Sequence, residues 1–330
     1  MNEKPYVPPF KITDTIVHLV SEISERVGAL SIKNEANPSP QLRRKNQIRS
    51  IHSSLAIENN TLSLEQVTDI INGKRVLGPP NEIREVKNAY EAYSQLLTLD
   101  PYKIDDMLAA HKIMMTGLIS EAGKFRSGGV GIFAGERLIH MAPPAQIVAE
   151  HMTNLLAWIK DSSVHLLIKS CVFHYEFEFI HPFADGNGRM GRMWQTLLLT
   201  KWKPLFAWLP VEELIRERQQ EYYDVLAACD KEADSTAFIE YILHIINDAL
   251  KDLSHTEHVR EQVTVQVEKL LAALGDEVLS ARELLEKLKL KHRPTFMASY
   301  IRPALELGLI EMTIPDKPRS NMQKYRAVKR

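Results

Sequence analysis

Residues 181–192 read H-P-F-A-D-G-N-G-R-M-G-R, and their types converge on one chemistry. The imidazole of His181 can accept a proton. The carboxylate of Asp185 can bring a hard cation, Mg²⁺, to phosphate oxygens. Gly186 and Gly188 permit positive φ and let a ligand approach the backbone. Arg189 and Arg192 are two-pronged donors suited to phosphate. Singly, His-Pro is a turn, Gly-Asn-Gly a loop, and two arginines three apart a solvated face. Gathered in one segment between apolar helices, they point to a nucleoside triphosphate.

The flanking elements must position these groups. Val164, Leu167, Ile168, Cys171, Tyr175 and Phe179 recur at helical spacing, which predicts a largely buried helix with Ser162 or Ser163 as N-cap. Cys171 on it reads as core. Pro182 ends it, because the residue before a proline is pushed out of the helical region. His181 then sits at a helix C-terminus, where the macrodipole favours its protonated form. A base must lose that proton, so an opposing influence has to come from burial or neighbours. Phe183 is expected to turn inward and anchor the loop. A second helix is predicted to begin near Arg189, and the N–H groups at its start form an anion site. Arg189 and Arg192 are neighbours on one face of it.

The segment resembles the signature of Fic-domain proteins, H-x-F-x-D/E-G-N-G-R-x-x-R, at every defined position. That resemblance implies transfer of AMP from ATP to a protein hydroxyl. Residue by residue, it implies that His181 deprotonates a Ser, Thr or Tyr hydroxyl and that Asp185 holds Mg²⁺. Gly186, Asn187, Gly188 and the surrounding N–H groups would hold the α- and β-phosphates. Arg189 and Arg192 would clamp the β- and γ-phosphates, with Met190 and Gly191 in the same nucleotide-binding stretch. The related Doc kinases depart from Gly-Asn-Gly-Arg, which this chain keeps, so AMP transfer is favoured over phosphate transfer. The residues suit that chemistry: a neutral hydroxyl needs a base, and the leaving pyrophosphate needs cations and N–H donors.

Ser54-Leu55-Ala56-Ile57-Glu58-Asn59-Asn60 resembles the Fic inhibitory motif, S/T-x-x-x-E-G/N-N. Ser39-Pro40 is expected to open the helix that carries it, with the proline at N1, and Ser63-x-x-Gln66 reads as a capping box for the next. Glu58 near a helix C-terminus is disfavoured by the dipole, so a partner is required. The resemblance supplies Arg192, and pairing would keep it from the γ-phosphate. Residues 130–141 form two short β-like runs around Ala134-Gly135. The family carries a flap there, and a hairpin edge can add a target segment as a strand. Gly123-Lys124-Phe125-Arg126-Ser127-Gly128-Gly129 matches the family's lead-in to it. Tyr223 corresponds to a tyrosine near the base and ribose.

Composition bounds the rest. The 330 residues suit two or three domains, and the formal net charge of −1 argues against a whole-chain nucleic-acid or membrane binder. Cys171 and Cys229 give no disulfide framework and no zinc pattern. Met1–Phe10 is polar and proline-rich, unlike a signal peptide, and no apolar run suits a membrane span, so a cytoplasmic location is expected. From Ser280 to Arg330 there are twelve Lys and Arg against five Asp and Glu. His258–Leu274, a short helix from Ser280 to near Leu290 and Thr295–Leu307 read as three helices. Leu309–Ile314 and Gln323–Val328 read as strands around a basic tip. That order resembles a winged helix, with Ser254–Glu257 as linker.

The expected fold is mainly α: a Fic helical core with a β-hairpin flap, plus a winged-helix-like domain. The expected divisions are 1–100 with the inhibitory motif, 101–253 as catalytic core and 258–330 as tail. The expected activity is autoinhibited protein adenylylation with ATP and Mg²⁺. Its alternatives are AMP removal with Glu58 positioning a water, and a nucleotide-sensing DNA-binding regulator. Expected partners are a target protein on flap 130–141, DNA or protein at the basic tail, and optionally a second copy of the chain. No membrane partner is expected.

Overall fold

The computed structural model describes residues 6–34, 40–134, 137–306, 308–318, 320 and 322–328. Within them, the side chains of 31–34, 40–42, 131–134, 137–141 and 254–264 lie outside the described set. The expected Ser39 cap and the turn at Gly135 therefore fall outside the described residues. The chain divides into two compact units, Met1–Lys251 and Asp252–Arg330.

The first unit opens with α1 (Asp14–Asn34), α2 (Pro40–Ile57), α3 (Leu64–Ile71), α4 (Pro80–Ser94) and α5 (Ile104–Met115). An antiparallel hairpin follows, β1 (Gly131–Ala134) and β2 (Arg137–Met141), with a bulge between Ile132 and Phe133. Then come α6 (Ala145–Asp161), α7 (Leu166–Ile180), α8 (Asn187–Trp202), α9 (Val211–Glu217) and α10 (Gln219–Glu232). The next helix, α11, spans Thr236–Leu274.

The site is positioned by α7 and α8, which pack along each other. Both are buried on nearly every face, the mark of a helix placed inside a domain rather than on it. Phe173, Phe177, Phe183, Met193, Trp194 and Leu197 are completely buried in their shared core. Trp194 still needs an acceptor for its indole N–H, and Pro101 O provides it at 3.0 Å. Helix α2 packs against α3, α4, α8 and α9. The capping box expected at Ser63 and Gln66 is present, with both reciprocal bonds. At its own end, α2 stops in a Schellman turn. Asn59 takes φ 67, Asn60 N–H donates to Leu55 O, and Asn59 N–H donates to Ala56 O. This turn leaves Glu58 at the capping position.

The second unit contains the end of α11, α12 (Ala281–Lys287), α13 (Arg293–Phe296), α14 (Arg302–Glu306) and strands β3 (Leu279–Ser280), β4 (Ile310–Met312) and β5 (Lys324–Ala327). Four differences from the sequence reading appear. Ser254–Glu257, expected as a linker, lies within α11. No glycine or proline interrupts Thr236–Leu274, and the helix runs until Gly275 at φ 53. The expected helix Thr295–Leu307 begins earlier, at Arg293, and contains a π-turn at Met297–Ile301. Pro303 explains the irregularity, since it has no N–H to continue the ladder. The hairpin gains a third strand, in the order β3-β5-β4, all antiparallel. Ser280 caps α12 with a complete capping box, and that helix ends at Lys287 rather than near Leu290. Among the described residues, no helix is long and apolar enough to cross a membrane.

Candidate active site

Helix α7 delivers His181. Its N-cap is His165, whose Nδ1 accepts from Leu167 N–H, and not Ser162 or Ser163. Ser162 instead follows the C-terminus of α6 and accepts from Val164 N–H. At the other end His181 takes φ 50, ψ 60, a left-handed conformation. For a β-substituted residue this costs roughly 1–3 kcal/mol and is held only by its surroundings. His181 Nδ1 lies 3.3 Å from Glu178 O. A carbonyl only accepts, so that contact puts the proton on Nδ1 and leaves Nε2 as the basic nitrogen.

The loop after His181 is braced from inside. Phe183 is completely buried, as expected, and stacks on His111 with centroids 3.6 Å apart and planes 9° apart. His111 Nε2 donates to Asp185 O at 3.0 Å and Nδ1 accepts from Gly123 N–H at 2.9 Å. Burial pulls His111 down to about 4, so it stays neutral and keeps both bonds. Asn187 spans the loop: Phe183 N–H donates to its Oδ1 and its Nδ2 donates to Phe183 O, both at 2.9 Å. Its side chain is thus a brace of the loop.

Helix α8 starts at Asn187, two residues before the expected Arg189, with Gly186 as cap at φ 85. A Cβ on Gly186 would lie 2.7 Å from Met115 Sδ. Asp185 Oδ1 accepts from Gly186 N–H at 2.6 Å and from Arg189 at 3.2 Å, and its side chain is 57% exposed. No group of three His, Cys, Asp or Glu able to hold a metal occurs among the described residues. The chain therefore offers one exposed carboxylate beside a helix N-terminus. That suits Mg²⁺, which takes one or two carboxylates and completes its shell with phosphate and water.

The two arginines separate. Arg189 is buried and pairs with Glu85 on α4 at 3.1 Å as well as with Asp185, while its Nε is buried without a partner. Glu85 also accepts from Asn60 Nδ2 at 2.8 Å. Arg192, 2% exposed, donates through Nε to Ser54 Oγ at 3.1 Å and through Nη2 to Ser54 O at 3.0 Å. Nη2 also reaches Glu58 Oε1 at 2.8 Å. A Cβ on Gly188 would lie 2.2 Å from the same Glu58 oxygen. Glu58 thus rests against the N-terminus of α8, in the place the sequence reading reserved for phosphate.

Glu58, Glu178, His181, Gly188, Arg192 and Tyr223 line an open cleft of about 180 Å³, with Phe179, Leu226 and Ala227 among its apolar walls. Of the expected residues, the cleft brings together His181, Gly188, Arg192, Glu58 and Tyr223. Asp185, Gly186, Asn187 and Arg189 do not line it, Met190 is completely buried in the core, and Gly191 backs onto Glu178.

Glu178 has no counterpart in the sequence reading. Burial pushes its carboxyl up to about 8, against the pull of Arg192 and with the push of Glu58. Its Oε1 is buried with no hydrogen-bond partner and lies 3.8 Å from His174 Nε2. Burial, reinforced by Arg192, pulls His174 down to about 3, so it is neutral. Its Nδ1 donates to Gln195 Oε1 at 2.7 Å, and its Nε2 accepts from the Tyr222 hydroxyl at 3.1 Å. Burial likewise holds the Cys171 thiol up at about 12, which makes it core rather than nucleophile.

A histidine at the end of one buried helix, the N–H groups at the start of the next and two arginines on the latter are the arrangement that the Fic signature implies. Residues 99–199 match the Fic/DOC family, and residues 265–327 match the C-terminal domain of filamentation-induced-by-cAMP protein Fic-like. The chain is 54% identical to a Fic family protein from Desulfovibrio desulfuricans G20, covering 98% of this chain and 99% of that one, with a TM-score of 0.76. The chain belongs to the Fic family. It is also similar to the protein adenylyltransferase fic-1 of Caenorhabditis elegans, 28% identical over 58% of this chain and 38% of that protein. The protein adenylyltransferase Fic of Drosophila mojavensis is 27% identical over 68% of this chain and 44% of that protein. The chain thus spans less than half the length of these two curated relatives.

Proposed function

We propose that the chain transfers AMP from ATP to a Ser, Thr or Tyr hydroxyl of a protein, and that Glu58 restrains it through Arg192. The observation that carries this reading is the 2.8 Å Glu58–Arg192 pair inside the cleft that His181 lines. In the reaction, His181 Nε2 accepts the hydroxyl proton as the oxygen attacks the α-phosphorus. The bond to the bridging oxygen breaks and pyrophosphate leaves. Backbone N–H groups at Gly188 and Arg189 meet the growing negative charge, as they would any anion at a helix start. Asp185 would hold Mg²⁺, which neutralises phosphate charge when bound. Tyr223, Leu226 and Ala227 form the apolar end of the cleft, suited to a base.

Restraint follows from geometry. While Glu58 occupies the start of α8 and Arg192, a γ-phosphate has neither its guanidinium nor its place. The experiment is incubation of wild type, Glu58→Gly and His181→Ala with ATP labelled at the α-phosphate. Covalent label on protein, strongest for Glu58→Gly and absent for His181→Ala, supports the reading. Absence of label from every form rejects it. Removal of AMP is a second reading, favoured by a Glu58 carboxylate that faces the same cleft as His181. Loss of label from a pre-modified protein, abolished by Glu58→Gly, would establish it.

A further inference from the structure

We infer that Arg126 is a positioning residue that clasps the β1–β2 hairpin to His181 and so sets where an acceptor hydroxyl meets the base. The inference rests on the transfer reaction proposed above. Arg126 lies in the lead-in to the hairpin and is only 3% exposed. Its Nε donates to His181 O at 2.7 Å, and its Nη2 reaches Ile180 O at 3.3 Å. The same Nη2 donates to Pro143 O at 2.5 Å, and Nη1 donates to Gly128 O at 2.8 Å. Its backbone N–H donates to Pro182 O at 2.9 Å. Gly128 precedes β1 and Pro143 follows β2, so one planar group holds both legs of the hairpin and the last turn of α7 at once. Ala142 N–H donating to Val130 O closes the hairpin base beside it.

All these acceptors are main-chain carbonyls, so the cation reads backbone position rather than pairing with a charge. Two of them, Ile180 O and His181 O, lie at the carbonyl end of α7, where a cation is favoured. His181 is a non-glycine at φ 50 just before a proline, a combination that drives the backbone toward extended geometry. The Nε bond to His181 O holds it against that drive. A lysine has the charge but no fork and cannot span carbonyls on three segments. The hairpin is a two-stranded sheet, and an extended acceptor segment can add to a hairpin edge as a strand. The clasp then fixes that strand relative to His181 Nε2. A displacement of about 1 Å between reacting groups costs about 100-fold in rate.

The test compares Arg126→Lys and Arg126→Ala, each in the Glu58→Gly background. The readouts are ATP affinity, self-labelling from ATP labelled at the α-phosphate, melting temperature and backbone hydrogen exchange over 128–143 and 177–186. For Arg126→Lys we expect ATP affinity within about threefold and self-labelling lower by about 100-fold. Exchange should rise in both segments together. For Arg126→Ala, added guanidinium at millimolar concentration should restore part of the labelling, and equal sodium chloride should not. Labelling that falls only in step with ATP affinity or folded fraction overturns the inference, as does equal action of the two salts. If Glu58→Gly itself takes no label, the transfer reading fails, and exchange still decides the clasp. Unchanged exchange in either segment removes it.

Discussion

Glu58 Oε1 sits 2.8 Å from Arg192 Nη2 and over the face of Gly188, although 134 positions separate Glu58 from Arg192 in sequence. One carboxylate thereby covers both the guanidinium and the helix start that an anionic ligand would need. The Schellman turn at Asn59 directs it there. In the proposed reading, the chain's own side chain holds the place of the ligand's anion.

Glu58→Gly should raise AMP transfer and lower stability. A fully buried pair broken at one partner costs roughly 3–5 kcal/mol. Glu58 is one-third exposed and Ser54 keeps two bonds to Arg192, so about 2 kcal/mol is expected. ATP should restore part of the lost melting temperature by supplying a replacement anion. The comparison is labelling and thermal melts of wild type, Glu58→Gly and Glu58→Gly with Arg192→Ala. Equal labelling of the first two would reject inhibition by Glu58. The double mutant should be inactive, which separates release of Arg192 from general loosening of α2.

Gly188→Ala should act differently in the two backgrounds. Its Cβ would meet Glu58 Oε1 at 2.2 Å in wild type, which expels the carboxylate from Arg192. With Glu58→Gly that clash is gone and only a 3.0 Å approach to Arg192 Nη1 remains. The two substitutions should therefore be non-additive by about 1 kcal/mol or more, as for residues in contact. A double-mutant cycle by denaturant unfolding checks it. Additive values would mean that Glu58 does not rest on α8.

His181→Ala should abolish transfer while leaving ATP affinity nearly unchanged, because the imidazole serves the acceptor rather than the phosphates. A base contributes about 100- to 10,000-fold. Removing the left-handed histidine also relieves backbone strain only slightly, since alanine has a Cβ too. Melting temperature should stay close to wild type. Transfer at near wild-type rate in a well-folded His181→Ala protein would refute the base assignment.

Much of this site was legible because its parts are contiguous. Residues 181–192 form one loop and one helix start, so spacing alone places their backbone. Glu58 was legible because Ser54–Asn60 resembles the Fic inhibitory motif; without that resemblance it reads as a solvated glutamate at a helix end. Glu85, His111, Arg126 and Glu178 were not singled out, since each acts through contacts with distant segments. Their signals were present all the same. His111 follows the apolar turn Met107-Leu-Ala-Ala, and Glu178 sits between Phe177 and Phe179 on a largely apolar helix. Polar groups at such positions stay only when something satisfies or uses them. The Ser162 expectation failed because a serine before an apolar run can serve a turn as readily as a cap.

Glu178→Gln should flatten the pH dependence of stability. Burial raises the folded carboxyl from 4.5 to about 8. Between those values the folded state holds a proton that the unfolded state has lost. Stability then falls as pH rises through that window, because the unfolded state binds fewer protons. Glutamine keeps the shape and never ionises, so wild type should lose melting temperature relative to Glu178→Gln from about pH 5 to about pH 8. Glu58 adds to the rise at Glu178 and Arg192 opposes it. Removing Glu58 should therefore move the midpoint of that loss to lower pH, while Arg192→Ala should move it higher. Melts of the four proteins in one buffer series measure all of this. Parallel curves for wild type and Glu178→Gln would mean that Glu178 is ionised throughout. In that case Arg192 would face two carboxylates in the cleft, and release of Glu58 alone would leave it paired.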